Sequence, residues 1–141
     1  MLVDAIMNTN VCTVTTDHTI LAAARLMRAQ NVGSVVVLDE RDRPIGLLTD
    51  RDIAVKAVAN EIDMQSPVDV VMSKPVHTVA ENSLIFDMLR QMAAHKVHRV
   101  PIVNREKKIV GIVSVDDAML LLTSELSNVA EVMAQSSRVL G

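Results

Sequence analysis

The feature that most constrains this chain is an internal repeat. Residues 3–53 align on residues 68–118 without a gap, and 14 of the 51 aligned pairs are identical. Most of the other pairs keep their polarity. Because self-similarity at a fixed spacing indicates one structural unit used more than once, we expect the two halves to share one architecture.

Each copy carries a short motif in which an apolar segment ends at a hydroxyl residue and an aspartate follows three positions later. The pairs are Thr49 with Asp52 and Ser114 with Asp117. A hydroxyl at a helix start with an acid three residues inside is a capping arrangement, and the acid also lies in the positive field of the helix N-terminus. One interpretation of the motif is therefore that it caps two helices.

The same motif is also suited to a ligand. Free N–H groups at a helix start suit a phosphate, and a carboxylate can accept two O–H groups from a sugar diol. A single copy of such a motif is most often only a cap, and two copies at one fixed spacing shift the balance towards ligand binding. Capping and ligand binding are compatible, so both interpretations stand.

The order of predicted elements in each half is strand, helix, strand, strand, helix. Apolar residues recur at i, i+3, i+4 and i+7 from Ile20 and again from Ile85, which predicts the first helix of each copy. Polar residues at 17–19 and at 82–83 can cap these helices. The remaining strands are predicted at 34–38, 45–48, 99–103 and 109–113, joined by short polar loops. Pro101 inside a strand favours an edge position or a bulge.

The polar link at 60–67 marks the boundary between the halves, so we expect repeats at 1–60 and 61–120 with a helical extension at 121–141. A half of about 50 residues is marginal alone, so the two halves should pack together. The extension predicts one or two helices, and its stripe of Leu126, Val129, Val132 and Met133 is typical of a core or a dimer interface. Together with the apolar helix faces around Ile20, Ala24, Met27, Met88 and Met92, this surplus of aliphatic surface predicts a homodimer.

Composition excludes several functions. The 141 residues include one Phe and no Tyr or Trp, so no aromatic platform exists for nucleic-acid bases. The net charge of −3 comes without a basic tract, which argues against nucleic acid as a partner. No signal peptide and no apolar run of membrane-spanning length is visible, and Cys12 is the only cysteine. We expect a cytoplasmic protein without a membrane partner.

Candidate catalytic and metal groups are few. The histidines, His18, His77, His95 and His98, lack metal-ligand spacing, and no histidine lies near Cys12 in sequence. His77 is aligned with Cys12 in the other copy. No P-loop, GxGxxG, HExxH or GxSxG motif occurs. We therefore expect no catalytic site, no metal and no required cofactor.

At this point the residues match a known family, since the repeated pattern resembles the CBS domain. The resemblance is carried by Asp4-Ala5-Ile6-Met7, Asp69-Val70-Val71-Met72, the Thr-Val after each, and the Gly-to-Asp motif in both copies. Copy two adds His98-Arg99-Val100-Pro101-Ile102-Val103. The match covers residues 1–120 and is similar to stand-alone two-CBS proteins of bacteria and archaea. It implies an α+β pair of β-α-β-β-α repeats with pseudo-twofold symmetry, followed by a C-terminal helix.

The resemblance also implies clefts between the repeats that bind AMP, ADP or ATP, and in some relatives S-adenosylmethionine or NAD. By that likeness Asp52 and Asp117 hold ribose, and Thr49 and Ser114 contact ribose or phosphate. The remaining implied residues flank adenine or serve as phosphate partners: Thr13, Gly33, Ser34, Val35, Arg51, His77, Thr78, His98, Arg99, Val100 and Pro101. Because the copies differ at several of these positions, the two clefts should differ in phosphate preference, and one could be empty.

These features predict a non-catalytic regulatory sensor, a homodimer that binds an adenosine nucleotide and signals to a partner protein by a population shift. The alternative is an adaptor dimer that docks a partner protein and has vestigial clefts. Melting in the presence of nucleotides separates the two.

Overall fold

The computed structural model describes the backbone of residues 1–140 and the side chains of residues 1–136. It contains two three-stranded sheets, and each sheet belongs to one repeat. In both sheets the first strand runs parallel to the second, and the second runs antiparallel to the third. The strands are β1 (Thr13–Thr15), β2 (Ser34–Leu38), β3 (Pro44–Thr49), β4 (Val79–Ala80), β5 (Arg99–Val103) and β6 (Ile109–Ser114). The predicted α+β pair is confirmed.

The helices are α1 (Ile20–Gln30), α2 (Asp50–Asp52, continued by a π-helix at Ile53–Val58), α3 (Ile85–His95) and α4 (Val115–Leu140). Thr19 caps α1 by accepting the N–H of Ala22 at 3.0 Å, as predicted. The predicted cap of α3 by a polar side chain is wrong, because no side chain caps this helix. Instead the carbonyl of Met1 accepts the N–H of Ile85 at 3.1 Å, which satisfies the helix start through the backbone.

The C-terminal extension is one continuous helix, α4, which begins at the motif of the second repeat. Its apolar stripe does not join the core of the chain. Exposure is 69% for Leu126, 54% for Val129, 61% for Val132 and 66% for Met133. By contrast, Ile20, Met27, Met88 and Met92 are buried in their own halves, so they are not available for a dimer. Among the residues whose side chains are described, α4 carries about half of the exposed large apolar side chains, and others such as Val58 and Phe86 lie elsewhere.

Pro101 does not lie on an edge strand, since β5 is the central strand of its sheet. In the first repeat the aligned Val36 donates its N–H to the carbonyl of Cys12 at 3.0 Å. Proline has no N–H to donate, and the parallel pairing of the second repeat begins only at Val79 with Ile102. The register irregularity also comes later, after Ile102. Pro101 thus shortens β4 and leaves β5 in the centre of the sheet.

The leading segments of the two repeats are exchanged. Val3 is buried in the apolar core of the second repeat, and Val68 is buried in that of the first. The N–H of Val3 donates to the carbonyl of Ser83 at 2.9 Å, and the N–H of Val68 donates to that of His18 at the same distance. Each core is incomplete without the other repeat's lead, so the two halves interlock. The boundaries at 1–60 and 61–120 remain a prediction about sequence units.

Candidate ligand-binding site

A cleft of about 200 Å³ lies between the repeats. We call it the Asp117 cleft. Residues from both repeats line it: Asn8, Val32, Gly33, Ser34, Arg99, Ile112, Ser114 and Asp117. The fold thus brings together Gly33, Ser34, Arg99, Ser114 and Asp117, which the resemblance had indicated separately in two copies.

Asn8 lines this cleft but was missed by sequence reasoning. Its backbone exchanges two hydrogen bonds with Ile112, at 2.9 and 3.0 Å, so the first repeat's lead joins the edge of the second sheet. Nothing in the sequence near Asn8 indicates that its segment crosses to the other repeat. The alignment of Asn8 with Ser73 does not indicate it either, because the pairing of Ser73 with Leu47 is itself visible only in the structure.

Ser114 and Asp117 form the predicted cap at the start of α4. The N–H of Ser114 donates to Asp117 Oδ2 at 2.9 Å, and the N–H of Asp117 donates to Ser114 Oγ at 3.2 Å. Within the described part of the chain, no donor contacts Asp117 Oδ1. The carboxylate is therefore fixed by one oxygen and keeps the other as an acceptor beside the cleft.

Gly33 provides room for two charged groups beside this cleft. A Cβ placed on Gly33 would lie 3.1 Å from Asp50 Oδ2 and 3.3 Å from Arg99 Nη2. The N–H of Asp50 also donates to the carbonyl of Gly33 at 2.9 Å. Any side chain here would press on the guanidinium and the carboxylate, so glycine lets Arg99 lie close to the backbone of the other repeat.

Four residues that align with residues of the Asp117 cleft in the other repeat define a second position: Leu47, Thr49, Asp52 and Ser73. We call it the Asp52 site. Thr49 and Asp52 form a reciprocal capping box, with both hydrogen bonds at 3.0 Å. Here the second carboxylate oxygen is engaged, because Lys56 Nζ lies 3.1 Å from Asp52 Oδ1. The same ammonium donates to Ser73 Oγ at 3.3 Å.

The other predicted site residues lie elsewhere. Val35, Val100 and Pro101 are buried, so they can offer a ligand only backbone groups. The imidazoles of His77 and His95 stack at 3.7 Å between centroids, which occupies one face of His77. His98 lines a separate cavity of about 290 Å³ beside α3. The side chains of Thr13 and Arg51 are exposed, and Thr78 is half-buried.

The described residues contain neither a metal-binding cluster nor a membrane-spanning helix. No group of three or more His, Cys, Asp and Glu side chains is arranged to hold a metal ion. Within residues 1–140, none of the helices combines the length and the apolar character that crossing a membrane needs.

The sequence pattern of the CBS domain matches residues 3–58 and 68–124. The chain belongs to the CBS domain family. It is 39% identical over 122 residues to the CBS domain-containing protein YhcV of Bacillus subtilis, covering 86% of this chain and 84% of that protein. It is 36% identical over 113 residues to Hypoxic response protein 1 of Mycobacterium tuberculosis, covering 79% and 78%.

Solved structures of CBS pairs share this fold. The CBS domain pair of protein MJ0100, solved with 5-methylthioadenosine and S-adenosyl-L-methionine, superposes with a TM-score of 0.80 at 26% identity, covering 89% of this chain and 98% of that one. Hypoxic Response Protein I with two coordinated zinc ions superposes with a TM-score of 0.75 at 33% identity, covering 84% and 97%. The predicted family is confirmed.

Proposed function

We propose that this CBS pair is a regulatory module that binds an adenosine nucleotide, AMP, ADP or ATP, in the Asp117 cleft. The observation that carries the proposal is that Asp117, which keeps one carboxylate oxygen as an acceptor, lines a cleft to which both repeats contribute. A carboxylate fixed through one oxygen can accept from a ribose hydroxyl through the other. The MJ0100 pair provides support, since both ligands in its structure contain adenosine.

The charges around the cleft favour a phosphorylated nucleoside. Arg99 supplies a guanidinium, and Ser114 lies at the N-terminus of α4, where the helix dipole favours negative charge. Asp117 opposes an anion, so the phosphate should lie beside Arg99 and away from the Asp50 carboxylate, which approaches the same part of Gly33. In this assignment Asp117 holds ribose, Arg99 and Ser114 hold phosphate, and the Gly33–Ser34 backbone flanks the ligand. The roles implied for the other site residues remain predictions.

Signalling follows from the position of Asp117. A ligand in this cleft contacts both repeats, so it favours the relative orientation in which both sets of contacts form. Asp117 also lies in the first turn of α4, the helix that bears Leu126, Val129 and Met133. We propose that occupancy of the cleft biases the position of α4, and that its exposed stripe forms a homodimer or contacts a partner protein.

We also propose that the protein acts in the cytoplasm and does no chemistry on its ligand. Ser114 Oγ accepts the N–H of Asp117, so the hydroxyl has a structural role as a cap. Cys12 is free, which fits a reducing compartment. An incubation of AMP or ATP with the protein should return the nucleotide unchanged on chromatography. Conversion of the nucleotide at a rate above the protein-free control would contradict this.

A panel of nucleotides in a thermal-shift assay tests the proposal. A ligand at a hundredfold excess over its Kd stabilises the fold by about 2.7 kcal/mol, which should raise Tm by at least about 5 °C. Adenine nucleotides should give this shift and guanine nucleotides should not. An unchanged Tm with every nucleotide would favour the adaptor function over the sensor.

A further inference from the structure

Lys56 lies between the two sides of the Asp52 site. Its ammonium is 3.1 Å from Asp52 Oδ1 on the helix side and 3.3 Å from Ser73 Oγ on the opposite side. Ser73 belongs to the lead of the second repeat, which is held against β3 by hydrogen bonds to Leu47 at 2.9 and 3.2 Å. One side chain therefore connects the two segments that a ligand would have to enter between.

The Asp117 cleft has no such connection. The residue aligned with Lys56 is Leu121, which packs against the core of the second repeat. Asn8 takes the place of Ser73, and no side chain in the described residues links Asn8 to Asp117. The two sites thus share their capping geometry and differ in whether the second carboxylate oxygen is engaged.

We propose that Lys56 closes the Asp52 site to a ribose diol, so that the pair binds one nucleotide per chain. The inference rests on the proposed function of the Asp117 cleft. A diol that enters the Asp52 site has to separate the Lys56 ammonium from the Asp52 carboxylate, which is only 13% exposed. The hydroxyls of the diol are neutral, so they bind the carboxylate less strongly than the ammonium that they replace. Lys56 is 47% exposed, so solvent weakens the contact. Lys56 therefore lowers the affinity of the Asp52 site for a nucleotide, and removing Lys56 should raise that affinity measurably.

The experiment is calorimetric titration of AMP into the wild type and Lys56→Leu, which installs the residue of the other repeat. We expect one site per chain in the wild type and two in Lys56→Leu, with affinity at the Asp52 site raised at least about tenfold. Arg25→Leu is the matched control. It removes the same charge from an exposed position on α1 and should keep one site.

A second pair of variants separates this inference from the proposed function. Asp117→Asn should lose most AMP binding, and Lys56→Leu added to Asp117→Asn should restore one site.

Two sites in the wild type, no gain in Lys56→Leu, or weaker binding in Lys56→Leu each overturn the role of Lys56. Weaker binding would show that Lys56 holds the phosphate. If the wild type binds nothing and Lys56→Leu gains one site, the Asp117 assignment fails and the closure by Lys56 stands. No binding in either protein overturns both.

Discussion

Met7 of the first repeat lies directly against Gly111 of the second. A Cβ added to Gly111 would meet Met7 Sδ at 2.6 Å and Met7 Cβ at 3.0 Å. Met72 and Gly46 form the corresponding contact, since a Cβ added to Gly46 would overlap Met72 Sδ and lie 2.9 Å from Met72 Cγ. Neither glycine has a positive φ, so each is required for space and not for its backbone conformation. These two contacts join the exchanged leads to the last strand of each sheet.

The first prediction concerns the stability of this contact. Gly111→Ala should lower the free energy of unfolding by about 1–3 kcal/mol, because overpacking of a filled interior costs about that much. Urea denaturation of the ligand-free protein measures it. Adding Met7→Ala should recover part of the loss, since it removes Sδ and Cγ from the new methyl group and leaves only Cβ, at 3.0 Å. Strictly additive effects of the two substitutions would show that the contact is not the source of the loss.

The second prediction concerns the two aspartates. Because the amide oxygen of Asn can still accept the N–H of the N-cap residue, Asp117→Asn should leave Tm of the ligand-free protein nearly unchanged. Asp52→Asn also loses the ion pair with Lys56, so it should lower Tm slightly. Asp117→Asn should weaken AMP binding about ten- to a hundredfold, since an amide has one acceptor oxygen and no charge. Asp52→Asn should change AMP binding little. Calorimetric titration with AMP and its 2′-deoxy form measures both.

The wild type should prefer AMP over 2′-deoxy-AMP, and Asp117→Asn should reduce that preference. Equal binding of both nucleotides by the wild type and by both variants would show that the two motifs are caps only.

The third prediction separates phosphate from nucleoside recognition. Arg99→Ala should weaken AMP binding by about 1.5–3 kcal/mol, the usual loss of a charge-assisted hydrogen bond, and should leave adenosine binding almost unchanged. The control Arg25→Ala removes an exposed arginine of α1 and should affect neither ligand. Equal losses for AMP and adenosine in Arg99→Ala would exclude a phosphate role for Arg99.

The fourth prediction concerns assembly through α4. The wild type should be a dimer at micromolar concentration, because the exposed stripe would otherwise remain in water. Leu126→Glu combined with Met133→Glu should give a monomer. The fold of each chain should keep its stability, since both side chains are more than 60% exposed. Ser127→Glu, an exposed position about 100° or more around α4 from each residue of the stripe, is the control and should leave the dimer intact. Light scattering that shows a monomeric wild type would remove the dimer from the proposal.

The architecture could be predicted because its signals are local. The repeat, the helical spacing from Ile20 and Ile85, and the strands at 34–38 and 99–103 all depend on residues that are neighbours in sequence. The capping pairs were likewise visible, since Thr49 with Asp52 and Ser114 with Asp117 span three positions. The edge position expected for Pro101 was wrong. The sequence shows that proline lacks an N–H, but it does not show which strand lies beside it. In the structure the missing N–H shortens β4.

By itself the sequence determined the family, the order of the elements and the residue types available for a ligand. Only the tertiary structure decided which of them meet, because contacts between the repeats depend on the exchange of the leads that carry Met7 and Met72. That exchange places Asn8 beside Asp117 and Ser73 beside Lys56, over separations that no local pattern spans. Two copies of one motif therefore became an open cleft in one case and a site occupied by its own lysine in the other.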